Sequence, residues 1–266
     1  MSALEKYEAR VDAVDSLLCV GLDSDIDRLP SEFNSVEFRQ LDFNRCIIDQ
    51  TASYASAFKF NMAFYEAAGA AGWRQLKDSL DFLRRQHPGV LTISDAKRGD
   101  IGNSSAAYAR AIFDELGFDA VTLNPYLGSD ALQPFLDYKD KACIILCRTS
   151  NAGSGELQNL QVTGRPLWQA VAETVVETWN TNGNCMLVAG ATFPEEMAAI
   201  RAIAGDMTLL VPGIGAQGGD IGPVLGAGLN SRGKGLIISA SRSVIFAEDP
   251  AAAAKSIREE INHFRP

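Results

Sequence analysis

The segment Asp95-Ala-Lys97-Arg-Gly-Asp100 gathers two carboxylates and an amine within six residues. It follows Val90-Leu-Thr-Ile-Ser94, a run with strand character. Side chains alternate faces along a strand, so Asp95 and Lys97 point the same way, roughly 7 Å apart along it. Their parity continues that of Leu91 and Ile93, which would normally face a core. Charges aimed at a core are costly unless they pair, and their presence there points to chemistry. An amine beside carboxylates is a combination that can carry proton chemistry. Asp100 lies just past the end of the run.

Two other apolar runs end in charge. One closes with Gly21-Leu-Asp23-Ser-Asp25, the other with Phe58-Lys59-Phe60-Asn61. Lys59 has the opposite parity to its neighbouring phenylalanines. If those rings pack outward beneath helices, Lys59 points into the centre. A single strand-end aspartate reads as a helix cap or turn residue. A lysine of core parity beside an Asp-x-Lys pair reads as a site.

The elements that must bring these ends together alternate regularly. Strand-like runs fall near 17–22, 57–60, 90–95, 120–123, 142–147, 185–189, 208–211 and 235–239, and amphipathic stretches occupy 37–54, 65–86, 105–116, 167–180, 194–203 and 250–264. Strands separated by helices pair in parallel. Eight such units predict an α/β fold, a single-domain (β/α)8 TIM barrel over residues 1–266. Its active site is expected at the C-terminal face of the strands. A doubly wound open sheet is the alternative. No linker or low-complexity tract divides the chain, and its two longest irregular stretches, 148–165 and 213–234, both follow strands on the expected active face.

Residues 212–219 read Pro-Gly-Ile-Gly-Ala-Gln-Gly-Gly. The GxGxxG within them sits at the seventh strand, not in an opening βαβ unit, so a dinucleotide site is a poor match. Nine glycines between 213 and 235 fit a phosphate gripper better. There, backbone N–H groups and a helix N-terminus hold the anion, and Arg242, in Ser239-Ala-Ser-Arg-Ser, is placed to supply positive charge. The same glycines suit a lid that closes over a ligand.

Composition narrows the partners. The formal net charge is -9 with no basic stretch, which argues against nucleic acid. No apolar run approaches the roughly 20 residues that span a bilayer. The polar N-terminus, Met-Ser-Ala-Leu-Glu-Lys, does not resemble a signal peptide, so a cytoplasmic location without a membrane partner is expected. The five cysteines, Cys19, Cys46, Cys143, Cys147 and Cys185, contain no CxxC pair and are expected as reduced thiols. The two histidines, His87 and His263, lie away from strand ends. Lysine and aspartate must therefore carry any proton chemistry.

These residues resemble the orotidine 5'-phosphate decarboxylase family. The matching pieces are LDSD, FKFN, DAKRGDIGNS, RTSN, VPGIGAQGGD and SASRS, in order along nearly the whole chain. The length and Leu123-Asn-Pro-Tyr126 look like the longer bacterial branch. The resemblance implies conversion of orotidine 5'-monophosphate to uridine 5'-monophosphate and CO2, the last step of de novo pyrimidine synthesis. It implies no metal and no organic cofactor, and a homodimer whose sites lie across the interface.

Carried over by resemblance, Lys97 stabilises negative charge at pyrimidine C6 and protonates it, and Asp95 lies beside the departing carboxylate. Lys59 and Asp23 hold ribose hydroxyls and join the charge network. Asp100, Ile101 and Ser104 reach into the partner's site. Ser104 stands where the family has threonine, which keeps the hydroxyl. Ser150 faces the pyrimidine, Pro212 lines the substrate site, and Gln217 and Arg242 hold the phosphate.

Three rival readings are separable. Sugar-phosphate decarboxylases of the same barrel suprafamily keep Asp-x-Lys-x-x-Asp but hold Mg²⁺ partly through an acidic residue on strand 2, where Lys59 would repel a cation. A Schiff-base aldolase needs a neutral amine, and flanking carboxylates favour the ammonium. A non-catalytic phosphate binder would have no use for the full set of charges.

Overall fold

The computed structural model of the chain describes residues 1–34, 37–214 and 220–266. Among these, eight parallel strands close into a barrel. They are β1 (Leu18–Gly21), β2 (Ala57–Asn61), β3 (Leu91–Arg98), β4 (Ala120–Leu123), β5 (Ala142–Arg148), β6 (Cys185–Ala189), β7 (Leu209–Pro212) and β8 (Leu236–Ala240). Each pairs with its sequence neighbours, and β8 pairs with β1 to close the ring. The strands are short, rich in Val, Ile and Leu, and almost wholly buried, as expected when helices cover one face and the barrel interior the other.

Strand register decides what faces inward. Gly21, Lys59 and Ile93 lie side by side across β1, β2 and β3, and Asn61 lies beside Asp95. Phe58 and Phe60 are fully buried on the outer face. The Phe60 ring packs against Tyr65 and Phe118 at centroid distances of 6.0 and 5.7 Å. The parity argument for Lys59 therefore holds, because two large outward rings leave the intervening side chain no direction but in. At the opposite end, the helix Ala3–Val14 crosses the barrel floor, and Tyr7 Oη donates to the Leu236 carbonyl at 2.5 Å.

Two regions differ from the sequence expectation. The glycine-rich stretch read as irregular contains a helix, Ile221–Gly228. Three of its eight residues are glycine, each costing roughly 1 kcal/mol of helix propensity. Burial of Ile221, Val224 and Leu225 outweighs that cost, and the Asp220 side chain caps the start by accepting from Gly222 N–H. Likewise, 148–165 holds a short helix, Gly155–Gln158, and a small hairpin. No helix among the described residues is long and apolar enough to cross a membrane.

A buried polar cluster fixes the end of β1. Tyr65 Oη donates to the Leu22 carbonyl at 3.0 Å and accepts from Asn44 Nδ2 at 3.0 Å. Ser24 Oγ donates to Asn44 Oδ1, and Gln40 Nε2 donates to the Ser24 carbonyl at 2.8 Å. Both neighbours of Asp23 are thus held by groups that water cannot reach. Replacing Tyr65 with Phe removes one donor and one acceptor from this cluster. The expected loss is about 1–3 kcal/mol of unfolding free energy, measured by urea denaturation. An unchanged midpoint would show that the cluster does not restrain this turn.

Candidate active site

A cavity of about 440 Å³ opens at the C-terminal ends of the strands. Its lining differs in character from side to side. The turn after β1 and strands β2 to β4 contribute Asp23, Lys59, Asn61, Asp95, Lys97 and Thr122, whereas β5, β6 and β7 contribute Leu146, Val188 and Leu210, and the loop after β5 and the end of β8 add polar groups that include Ser150, Gln158, Ser239 and Arg242. An apolar patch thus stands opposite the charged strand ends, with polar groups beside it, which suits a flat heterocycle carrying an anionic edge.

Asp95 organises the charged half. Its Oδ2 accepts from Lys59 Nζ at 3.0 Å, and its Oδ1 accepts from Lys97 Nζ at 2.6 Å and Thr122 Oγ1 at 2.9 Å. Lys59 Nζ also lies 3.7 Å from Asp23 Oδ1, so the line runs Asp23–Lys59–Asp95–Lys97. Burial disfavours the Lys59 ammonium, but the Asp95 and Asp23 carboxylates outweigh it and raise its pKa above the ordinary lysine value. Burial likewise disfavours charge on Asp95, yet Lys59 and Lys97 hold its carboxyl well below the usual range. Cys19, inward on β1, is pushed up to about 12 by burial and stays a neutral thiol.

Lys97 is not where simple alternation would put it. β3 runs on to Arg98, and its register with β4 shifts between Ser94 and Arg98. Within this bulge Lys97 has φ of +48°, a left-handed conformation that costs a residue with a Cβ roughly 1–2 kcal/mol. Its backbone N–H donates to Thr122 Oγ1 at 2.9 Å. The Lys97 side chain remains 52% exposed, against 6% for Lys59.

Of the other sequence-derived candidates, Ser150, Pro212 and Arg242 line the cavity. Arg242 opens the short helix Arg242–Ile245, is exposed, and has no ion-pair partner among the described residues. Asp100, Ile101 and Ser104 do not line the cavity of their own chain. Asp100 Oδ1 accepts instead from the Ile101 N–H at 2.8 Å, and Ile101 is 60% exposed. Within one chain the alternating charges therefore run Asp23–Lys59–Asp95–Lys97, and Asp100 is not among them. Gln217 lies outside the described residues. His87 is half-buried and His263 exposed, both away from the cavity.

Sequence reading missed several lining residues. Thr122 carried one signal, a hydroxyl of inward parity next to a strand end. Asn61, which also caps Ala63 N–H, was visible but had no assignable role. Gln158 comes from a stretch read as irregular. Its Oε1 accepts from Thr149 N–H at 3.0 Å and from Arg148 Nη1 at 3.2 Å. Arg148, itself buried, also donates from Nε to Glu196 at 2.5 Å, tying the loop after β5 to the helix after β6. Gly190 lets that loop approach closely, since a Cβ there would stand 2.9 Å from the Ser150 nitrogen. At the seam of β1 and β8, a Cβ on Gly21 would stand 1.9 Å from Ser241 Oγ.

A family model described as orotidine 5'-phosphate decarboxylase / HUMPS matches residues 16–257, nearly the whole barrel. The chain belongs to this family. An orotidine 5'-phosphate decarboxylase of Janthinobacterium sp. is 46% identical over 259 residues, covering 97% of this chain and 95% of the relative. That of Cupriavidus necator is 46% identical over 272 residues, covering 100% and 99%. Among solved structures, OMP decarboxylase of Leishmania donovani superposes with a TM-score of 0.90 at 44% identity, covering 100% of this chain and 99% of that one. UMP synthase from the same organism gives 0.91 at 45% identity, with this chain spanning 57% of its length.

The lowered Asp95 pKa has a consequence for stability. A carboxylate whose folded pKa is depressed contributes stability that is complete above its unfolded value, here 3.8, and is lost as pH falls through the folded value. Between about pH 4 and 2, unfolding free energy should therefore fall more steeply in the parent than in Asp95→Asn. Equal slopes in denaturation series across that range would contradict the ion-pair geometry.

Proposed function

We propose that this chain decarboxylates orotidine 5'-monophosphate to uridine 5'-monophosphate and CO2, the last step of de novo pyrimidine synthesis, without a metal or organic cofactor. The observation that carries the reading is the fixed Asp23–Lys59–Asp95–Lys97 line facing an apolar wall. Full-length similarity to proteins named for this reaction supports it.

The chemistry follows from the charges. Cleavage of the bond between C6 and the carboxylate leaves the electron pair on C6, where the ring offers little resonance. A positioned ammonium stabilises that charge electrostatically, and Lys97 then transfers a proton from Nζ to C6. Two unit charges 4 Å apart attract by about 4 kcal/mol at an effective dielectric of 20. If that attraction develops only in the transition state, it is worth about three decades in rate. Asp95 stands beside the leaving carboxylate, and Lys59 with Asp23 takes the ribose hydroxyls. Ser150 and Pro212 border the pyrimidine, and Arg242 with Gln217 takes the phosphate.

The proposal includes a homodimer. Asp100, Ile101 and Ser104 do not line their own cavity, and the loops after β3 and β4 carry exposed apolar side chains. Ile101, Tyr126 and Leu127 are 60, 81 and 48% exposed, and the loops after β3 and β4 touch where Asn124 N–H donates to the Arg98 carbonyl at 2.7 Å. Such a patch suits a second copy that receives Asp100. The proposal also makes the chain one barrel domain acting in the cytoplasm, consistent with five free thiols.

Mixing the protein with orotidine 5'-monophosphate and EDTA should change the pyrimidine absorbance, and no change would overturn the reading. Lys97→Ala should lower kcat by at least about three decades. Arg242→Ala should lower kcat/KM by about a hundredfold or more although it touches no reacting atom, because remote binding energy is used at the reacting carbon. Verified mixed dimers of Lys97→Ala with Asp100→Ala should regain part of the parental activity. No recovery would return Asp100 to its own subunit.

A further inference from the structure

We infer that Thr122 is a positioning residue for the reaction, setting both the backbone bulge that presents Lys97 and the rotation of the Asp95 carboxylate. This inference rests on the proposed decarboxylase reading. Three observations carry it. First, the bulge removes the Lys97 N–H from the regular β3–β4 ladder, and that N–H donates to Thr122 Oγ1 at 2.9 Å. Secondly, the same hydroxyl donates its own proton to Asp95 Oδ1 at 2.9 Å. Thirdly, Thr122 is 1% exposed, so water cannot replace it in either role.

The hydroxyl is thus used as acceptor and donor at once, and both bonds serve the same pair. Lys97 holds a left-handed conformation unusual for a residue with a side chain, φ +48°, and such a conformation persists only where its surroundings enforce it. The enforcing contact is on the neighbouring strand, 25 residues away in sequence. Asp95 Oδ1 is also the atom that holds Lys97 Nζ at 2.6 Å. A rotation of the carboxylate would move the ammonium with it. Thr122 therefore fixes the lysine at both ends, backbone and headgroup, through a single oxygen. It is inward on β4, one strand beyond the residues that bear charge, and nothing in the reaction requires it to touch substrate.

Valine replaces threonine with almost the same shape and removes both bonds, whereas serine keeps the hydroxyl and removes only the methyl group. Thr122→Val should lower kcat about 10- to 100-fold while KM changes less than about threefold, because displacement of a reacting group costs rate more than binding. Thr122→Ser should stay within about threefold of the parent. A Thr122→Val enzyme with parental kcat overturns the inference, as does a Thr122→Ser enzyme that falls as far as the valine variant. A second measurement needs no turnover. Hydrogen exchange at the Lys97 amide, read by NMR of the ligand-free protein, should be about tenfold faster in Thr122→Val and unchanged in Thr122→Ser. Equal exchange in all three proteins would overturn the positioning role. Absence of turnover by the parent would instead strike at the decarboxylase reading, leaving the exchange result to decide on Thr122.

Discussion

The site depends on one carboxylate held by three donors. Asp95 lies among Lys59, Lys97 and Thr122, with both oxygens engaged. Burial alone pushes a carboxylate here toward its neutral form. Burial alone likewise pushes Lys59 toward its neutral form. Each makes the other's charge tolerable, and Asp23 adds a second acid on the far side of Lys59. The line of alternating charge is therefore a collective object. Removing one member changes the protonation or position of the others, so single substitutions do not partition its energy.

The barrel makes that line possible through register. Adjacent strands bring Gly21, Lys59 and Ile93 level, and Asn61 and Asp95 level one layer higher. Lys59 and Asp95 reach the mouth directly from neighbouring strands, so their spacing inherits the stiffness of a parallel sheet. Opposite them, Leu146, Val188 and Leu210 keep the wall apolar. An anion entering between the two walls exchanges water for ammonium on one side and hydrocarbon on the other, which strengthens the electrostatic interaction.

Much of this was legible in the sequence because it depended on parity. Lys59 alternates with two phenylalanines, and Asp95 and Lys97 continue Leu91 and Ile93, so period-two reasoning aimed all three inward. What escaped depended on contacts distant in sequence. The bulge at Lys97 breaks the alternation that pointed to it, and its cause is a threonine on the next strand. The helix Ile221–Gly228 contradicts its own glycine content because burial of Val224 and Leu225 decides the matter. Gln158 enters the cavity through Arg148, whose partner Glu196 lies 48 residues on. In each case local propensity was overridden by a tertiary contact that no window of neighbouring residues contains.

The two lysines share one carboxylate but not one environment, and this separates their roles. Lys59, 6% exposed and between two acids, is a fixed cation whose loss would leave Asp23 without its ion pair and Asp95 with Lys97 and Thr122 alone. Lys97, 52% exposed, has a single acidic partner among the described residues of its own chain and a backbone held in place. Its headgroup can turn toward an incoming charge while its anchor stays still. In open solvent, attraction to a unit charge 4 Å away is about 1 kcal/mol, and it rises to about 4 at an effective dielectric of 20. Covering the mouth therefore strengthens the interaction of Lys97 with substrate far more than that of Lys59 with its partners, which is buried already. Under the proposed reaction, the exposed lysine is the one whose energy would change when the mouth is covered, and catalysis requires such a change, not merely a strong interaction.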